Sequence, residues 1–566
     1  MRVARAVLDC LWEHGVQYIV GIPAGSVNAI FDELYDLPKI QPIVVKHEGA
    51  AGYMAAAYAK ATGGLAVCIG SSGPGATNLV TGAANALREQ LPVLFITGHV
   101  PVSTQGLNAS QELRVDPVFS PITKSSVTVQ STAQVMPAIV EAIALAQSGV
   151  PGPVHVAIPI DIQLAECPQP PVPESLKACV RTPVRAATAK SLDDAVEVLG
   201  QARHGVIFIG QGARDALDEV LEIASRLAWP ILCSAQAKGL LPTSTPGFLG
   251  VFGFAGDERC VAFMREHTDG AILIVGSSLG ETATNNYNPC LTGSRQVVQI
   301  DRDETVFGRK YPCHVPVCED AATSLRTILQ GLTKRFPVAK AIPGETANRH
   351  EPLGIEMTAP ASAPSGEHGP DRYDTQRVLL RLQSLLPRDT RYTVDIGEFM
   401  SYVIHHMQVY TRDSFEINVH FGPMGVGIAS AIGWKLADQD RPVVSITGDG
   451  CFFMHGMELL TAKEHNLSVI WVVFNNARLG MVHQGHRLQY GRSHACFTQA
   501  PVNIAKMATA MGIRSARVEA IADLDGTLLE TWLATPGPAV LEIALVDESI
   551  PPMGDRVKFL SSFGHE

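Results

Sequence analysis

A chain of 566 residues is too long for one hydrophobic core and implies about three domains. With 46% hydrophobic and 17% charged residues and a formal charge of −11 spread along its length, it is neither disordered nor equipped with a basic block for nucleic acid. No apolar run approaches the roughly 18–20 residues of a membrane-spanning helix, and the eleven cysteines form no Cys-x-x-Cys pair, so free thiols in a cytoplasmic setting are expected.

The opening residues, MRVARAVLDCLWEHGV, carry Asp9 and Glu13 inside an apolar pattern. They read as an amphipathic helix and not as a signal peptide. Short β-branched runs then alternate with helical stretches, the pattern of parallel sheets covered on both faces. Strands are expected at 43–45, 65–69, 93–96 and 154–158, then, after the Pro-rich stretch CPQPPVPESLKACVRTPV, at 205–210, 230–235, 271–276 and 296–301. A second linker, rich in Pro, Ala, Ser and Gly, occupies 337–370. A last set of strands begins with RYTVDIG at 391–397 and runs through VVSITG and VIWVVF to VLEIAL at 540–545. The expected fold is α/β, three consecutive doubly wound parallel-sheet domains at 1–166, 187–336 and 371–566.

Two strand ends of the last domain stand out. VVSITG ends on Gly448-Asp449-Gly450, and VIWVVF, the next strand, ends on Asn475-Asn476. Ligands of wound parallel sheets gather beyond the carboxyl ends of strands, so a carboxylate and an amide oxygen can converge there. Both are hard oxygen donors, suited to Mg²⁺, which takes few protein ligands and shares its shell with phosphate. Gly448 and Gly450 allow a phosphate to come close to the backbone, and a helix N-terminus follows. A GDG triplet alone is more often an ordinary loop; the asparagine pair 27 residues beyond Asp449 makes the pattern specific.

GDG, the NN pair and the following NNARLGMVHQG resemble the thiamin-diphosphate-dependent enzyme superfamily, in its acetolactate synthase and pyruvate oxidase-like branch. The resemblance implies a pyrimidine-binding domain at 1–166, a middle domain at 187–336 and a diphosphate-binding domain at 371–566. It implies that Asp449, the side chain of Asn476 and the backbone carbonyl of Arg478 hold Mg²⁺ on the diphosphate of thiamin diphosphate. Glu48, in VVKHEGAAGYMAAAYA, corresponds to the glutamate that bonds N1′ of the aminopyrimidine and so promotes loss of the C2 proton. Pro74 and Asn78 of SSGPGATN, together with Gly25, are expected near the pyrimidine. Gly422 and Met424 of FGPMGVG are expected to prop the cofactor, with Met424 in the catalytic set. Gly397 and Glu398 of DIGE, with Gly448, Gly450, Cys451, Leu479, Gly480 and Met481, are expected around the diphosphate, where Glu398 is an unusual acid. Gln111 of GLNASQE is expected to reach the substrate. An active site between two subunits is also implied, hence a dimer or a pair of dimers.

Such enzymes decarboxylate a 2-oxo acid, here expected to be pyruvate, and differ in what meets the resulting enamine. Three departures from the acetolactate synthase pattern bear on that choice. Ser278 replaces an arginine that binds the second oxo acid, Gly485 replaces a tryptophan, and Ser110 replaces a phenylalanine. With His483 nearby in sequence, they predict a wider, more polar acceptor pocket and a carboligase with altered acceptor preference. A non-ligating decarboxylase, a true acetolactate synthase and a flavin-linked oxidase are the alternatives. GVFG at 250–253 lacks the usual histidine, and GQGARDA at 210–216 lacks the third glycine of a dinucleotide fingerprint, which puts FAD in doubt.

Overall fold

The computed structural model describes residues 1–167, 186–337, 374–544 and 549–562. Both expected linkers lie outside the described residues, apart from Cys167 and Pro337 at their edges.

Three parallel six-stranded sheets carry the molecule. The first holds β1 (Tyr18–Gly21), β2 (Gln41–Val44), β3 (Ala66–Gly70), β4 (Val93–His99), β5 (Ser126–Thr128) and β6 (Val154–Pro159), in the order β2-β1-β3-β4-β6-β5. The second holds β7 (Gly205–Ile209), β8 (Ile231–Cys233), β9 (Phe248–Val251), β10 (Ala271–Val275), β11 (Gln296–Asp301) and β12 (Val315–Cys318), in the order β12-β11-β10-β7-β8-β9. The third holds β13 (Arg391–Val394), β14 (Phe415–Ile417), β15 (Val443–Gly448), β16 (Val469–Asn475), β17 (Arg514–Val518) and β18 (Ala539–Ala544), in the order β14-β13-β15-β16-β18-β17. The first and third sheets therefore share one winding, and the second has the order of a dinucleotide-binding fold. The central strands are buried from end to end, as helices on both faces require.

The first and third domains meet through the helices Glu48–Thr62 and Val426–Ala437, both rich in Gly and Ala and buried along most of their lengths. Small side chains let the two backbones approach: a Cβ added at Gly433 would run into the Met54 carbonyl oxygen. Within the third domain a buried carboxylate aligns strand ends. Asp395, fully buried after β13, accepts from Gly425 N at 2.8 Å and from Thr447 Oγ1 at 3.1 Å. One carboxylate thus ties β13, β15 and the start of the helix Val426–Ala437. Across the domains, Glu458 accepts from the backbone N–H groups of Lys46 and His47 at 2.9 and 3.0 Å, just ahead of Glu48.

Candidate active site

β15 and β16 pair in parallel with Gly448 opposite Phe474, so the residues that follow each strand leave the sheet side by side. Asp449 opens the helix Asp449–His455, and a second helix, Glu458–Glu464, completes the crossover. Asp449 is buried, and its Oδ1 accepts from Gly450 N at 2.8 Å, while its Oδ2 is shut from solvent without a hydrogen-bond partner. Burial pushes its carboxyl up to about 6, against the pull of backbone N–H groups of Gly450, Ala477 and Arg478. A buried carboxylate oxygen left without a donor is where a cation belongs.

Asn476 stands beside it, with Oδ1 accepting from Arg478 N at 3.3 Å and Nδ2 donating to Glu398 Oε1 at 2.5 Å. The other asparagine turns away. Asn475 Nδ2 donates to Val502 O at 2.8 Å and to Glu542 Oε1 at 2.6 Å, and Glu542 also pairs with Arg517. Sequence reasoning did not single out Glu542, because an acid within an apolar strand pattern gives no sign of which loop it holds. A cavity of about 150 Å³ lies over these strand ends, lined among others by Gly397, Glu398, Met424, Gly448, Asp449, Gly450, Cys451, Asn476, Arg478, Leu479, Gly480 and Met481. Gly422 lies two residues before Met424, outside this lining.

The expected first-domain residues form a cluster of their own. Asn78 Nδ2 donates to Glu48 Oε2 at 2.9 Å, and a Cβ at Gly75 would lie 3.1 Å from Glu48 Oε1. Ser72 Oγ donates to Gln111 Oε1 at 3.4 Å, and Ser72 N donates to Ser26 Oγ, next to Gly25, at 2.9 Å. Pro74, Asn78, Ser110 and Gln111 are exposed in the single chain, and none of this cluster lines the cavity at Asp449. One chain thus presents two separate clusters of expected site residues.

Three family models match the chain, one in each of its three sheet domains. The N-terminal TPP binding domain of thiamine pyrophosphate enzymes matches residues 1–118, the central domain 192–328 and the C-terminal TPP binding domain 395–543. A probable acetolactate synthase large subunit of Methanocaldococcus jannaschii is 30% identical over 561 residues, 98% of this chain and 93% of that protein. The chain belongs to the thiamin-diphosphate-dependent enzymes. Its branch is the acetolactate synthase and pyruvate oxidase-like one: the large subunit of acetolactate synthase isozyme 1 from Escherichia coli is 29% identical, covering 97% of this chain and 95% of that one. A probable large subunit from Methanococcus aeolicus is likewise 29% identical, over 98% and 94%.

The donor set of this thiamin-diphosphate enzyme fits a metal-bound diphosphate. Asp449 Oδ2 has no protein partner, and the walls at Gly448 and Gly450 are bare backbone. None of the positions read as acceptor residues, Ser110, Gln111, Ser278, His483 and Gly485, lines the cavity at Asp449. His483 lies on the helix Gly480–Tyr490 and bonds Ser493 Oγ at 2.8 Å. A Cβ at Gly485 would lie 3.6 Å from Met553 Cε, so the C-terminal segment borders the space that the small residue leaves. Ser278 follows β10 and precedes a loop whose Glu281 and Asn286 hold Arg556 of the helix Gly554–Ser562.

In the middle domain of this enzyme the two turns at the switch of strand order touch. Gly212 N donates to Gly276 O at 3.0 Å, and a Cβ at Gly212 would lie 2.9 Å from Gly276 Cα. The Gly212 N–H, on the turn after β7, is therefore already donated within the protein.

Proposed function

We propose that this enzyme decarboxylates a 2-oxo acid, with pyruvate as donor, and joins the remaining fragment to a carbonyl acceptor. The observation that carries the reading is the convergence of Asp449 and Asn476 on one cavity at adjacent parallel strand ends, with the Asp449 Oδ2 lone pairs uncommitted. Asp449, Asn476 and the Arg478 carbonyl would hold Mg²⁺, and the glycine-walled strand ends would receive the diphosphate. When bound, thiamin diphosphate supplies a carbon nucleophile that adds to the carbonyl of the oxo acid and accepts the electrons left by CO₂. Glu48 would hold a proton at N1′ of the pyrimidine, and Met424 would support the cofactor.

In this reading the two half-sites meet between two copies of the chain, Glu48 of the partner subunit completing the cavity at Asp449. Phe453, Met454 and Met457, exposed on and just after the Asp449–His455 helix, support a dimer, because contiguous apolar surface beside a site is the mark of an interface. The described cysteines are all free, in keeping with a reducing cytoplasm. No helix of the described residues is long and apolar enough to cross a membrane. The touching turns at Gly212 and Gly276 support catalysis without FAD, and a colourless purified enzyme is the expected result. Ser278, Gly485 and Ser110, with Gln111 and His483, would shape an acceptor pocket that prefers a partner other than a second pyruvate.

The test is pyruvate with thiamin diphosphate and Mg²⁺, products read by NMR, with and without aldehyde, ketone and oxo-acid acceptors. A ligation product that requires an added acceptor is expected. Efficient acetolactate formation from pyruvate alone would overturn the altered pocket and make the enzyme an acetolactate synthase like its named relatives. Glu48→Ala should retain cofactor binding and lose C2 proton exchange; unchanged exchange would remove Glu48 from its role.

A further inference from the structure

Two carboxylates line the cavity over the β15 and β16 ends, and the proposed function gives a metal to Asp449 alone. The other, Glu398, opens the helix Glu398–His406 and reaches across the cavity to the opening of a different helix, Gly480–Tyr490. A Cβ at Gly480 would run into the carboxyl group of Glu398, so the carboxylate lies directly against the Gly480 backbone. Its Oε1 accepts from Asn476 Nδ2 at 2.5 Å. An anion is thus already seated between an amide of the metal pair and the positive end of an eleven-residue helix. That seat has the chemistry a diphosphate oxygen would seek.

We infer that Glu398 is a built-in stand-in for the diphosphate: its carboxylate occupies the Asn476–Gly480 seat until a metal-bound pyrophosphate group displaces it. This rests on the reading of the cavity as the diphosphate site. In the free enzyme Glu398 keeps Asn476 and the Gly480–Tyr490 helix arranged. It withdraws when the cofactor enters, and because two anions then share one cavity, the cation is needed to compensate them. Glu398 therefore weakens binding of pyrophosphate-bearing ligands and sharpens its dependence on Mg²⁺. It is a positioning residue.

The experiment is calorimetric titration of the full-length enzyme with inorganic pyrophosphate and, separately, with thiamin diphosphate, each across a series of Mg²⁺ concentrations. Wild type is compared with Glu398→Gln, and Glu398→Ala serves as a second variant, with thermal denaturation checking that each is folded. Both variants should bind both probes about tenfold tighter or more at low Mg²⁺, with the gap narrowing as Mg²⁺ rises, while any affinity for unphosphorylated thiamin stays as it was. Equal affinities in wild type and variants would overturn the inference and leave the proposed function standing. Weaker binding in the variants would also overturn it, making Glu398 a ligand of the cofactor or its metal. Failure of either probe to bind wild type and variants alike would remove the site reading and this inference together.

Discussion

Asp449 and Asn475 show how differently two polar residues at adjacent strand ends can be used. Asn475 has both hydrogens of its amide committed, to Val502 O and Glu542, and so fixes the loop after β16. Asp449 is buried with one oxygen uncommitted, a costly arrangement in a protein that binds nothing there. Asp449→Ala should therefore leave the fold intact or slightly steadier and weaken Mg²⁺-dependent thiamin diphosphate binding by roughly a hundredfold, about 3 kcal/mol. Calorimetry returning wild-type affinity would take Asp449 out of the metal site. Both polar ends were legible in the sequence because Gly-flanked and paired residues break an apolar strand abruptly. The resemblance assigns the metal to Asn476 and not to Asn475, but what Asn475 holds was not legible, since it depends on Glu542 reaching across from β18.

Among elements, the helix pair Glu48–Thr62 and Val426–Ala437 carries the contact that joins the first and third domains. Its closeness depends on a missing side chain: Gly433 faces Met54 O, and a Cβ there would also lie 3.0 Å from Ala57 Cβ. Gly433→Val should force the helices apart and destabilise the enzyme by several kcal/mol, in the range of severe overpacking. A melting temperature within a degree or two of wild type would show that the interface yields more easily than its packing implies. Glycine and alanine along these helices announced burial, but not the partner surface.

The strands differ in a similar way. Long central runs such as β4, β15 and β16 were predicted close to their observed bounds. β5, β9, β12, β14 and β17 were not singled out, and all five lie at sheet edges. An edge strand is covered less completely and has no need of a continuous apolar run, as the half-exposed Arg514–Val518 shows. β1 is different, a short central strand of four residues that gives little pattern to read.

At the level of the whole molecule, polar groups from all three domains meet under the helix pair. Lys60 of the first domain lies 3.3 Å from Glu416 of the third, which also accepts from Trp434 Nε1 at 3.0 Å. Glu89 of the first domain accepts from Gln236 of the second, and its Oε1 is shut from solvent without a partner. Burial raises the Glu89 carboxyl to about 7, with Glu416 adding to the rise and Lys60, Gln236 and Arg88 opposing it. The folded state thus holds this proton more tightly than the unfolded chain, whose carboxyl has its ordinary value near 4.5. The contribution to stability is full below that value and is lost as pH rises through about 7. Glu89→Gln should remove a pH-dependent loss on the order of 1–3 kcal/mol between acid and mildly alkaline conditions. Melting temperatures of wild type and variant that run parallel from pH 5 to 8 would refute this.

The sequence by itself determined the chemistry class and the architecture. Apolar strand runs spaced by helices specify wound parallel sheets, and the GDG and NN motifs mark strand ends that chain connectivity alone makes neighbours. What only the tertiary structure decided was which polar groups share a space. Glu398 and Gly480 meet across 82 residues, Glu458 caps the backbone ahead of Glu48 from another domain, and Glu48 stands apart from Asp449's cavity. Local propensity acts over a few residues, whereas these encounters are set by how buried helices and sheets close on one another, and no short stretch of sequence encodes them.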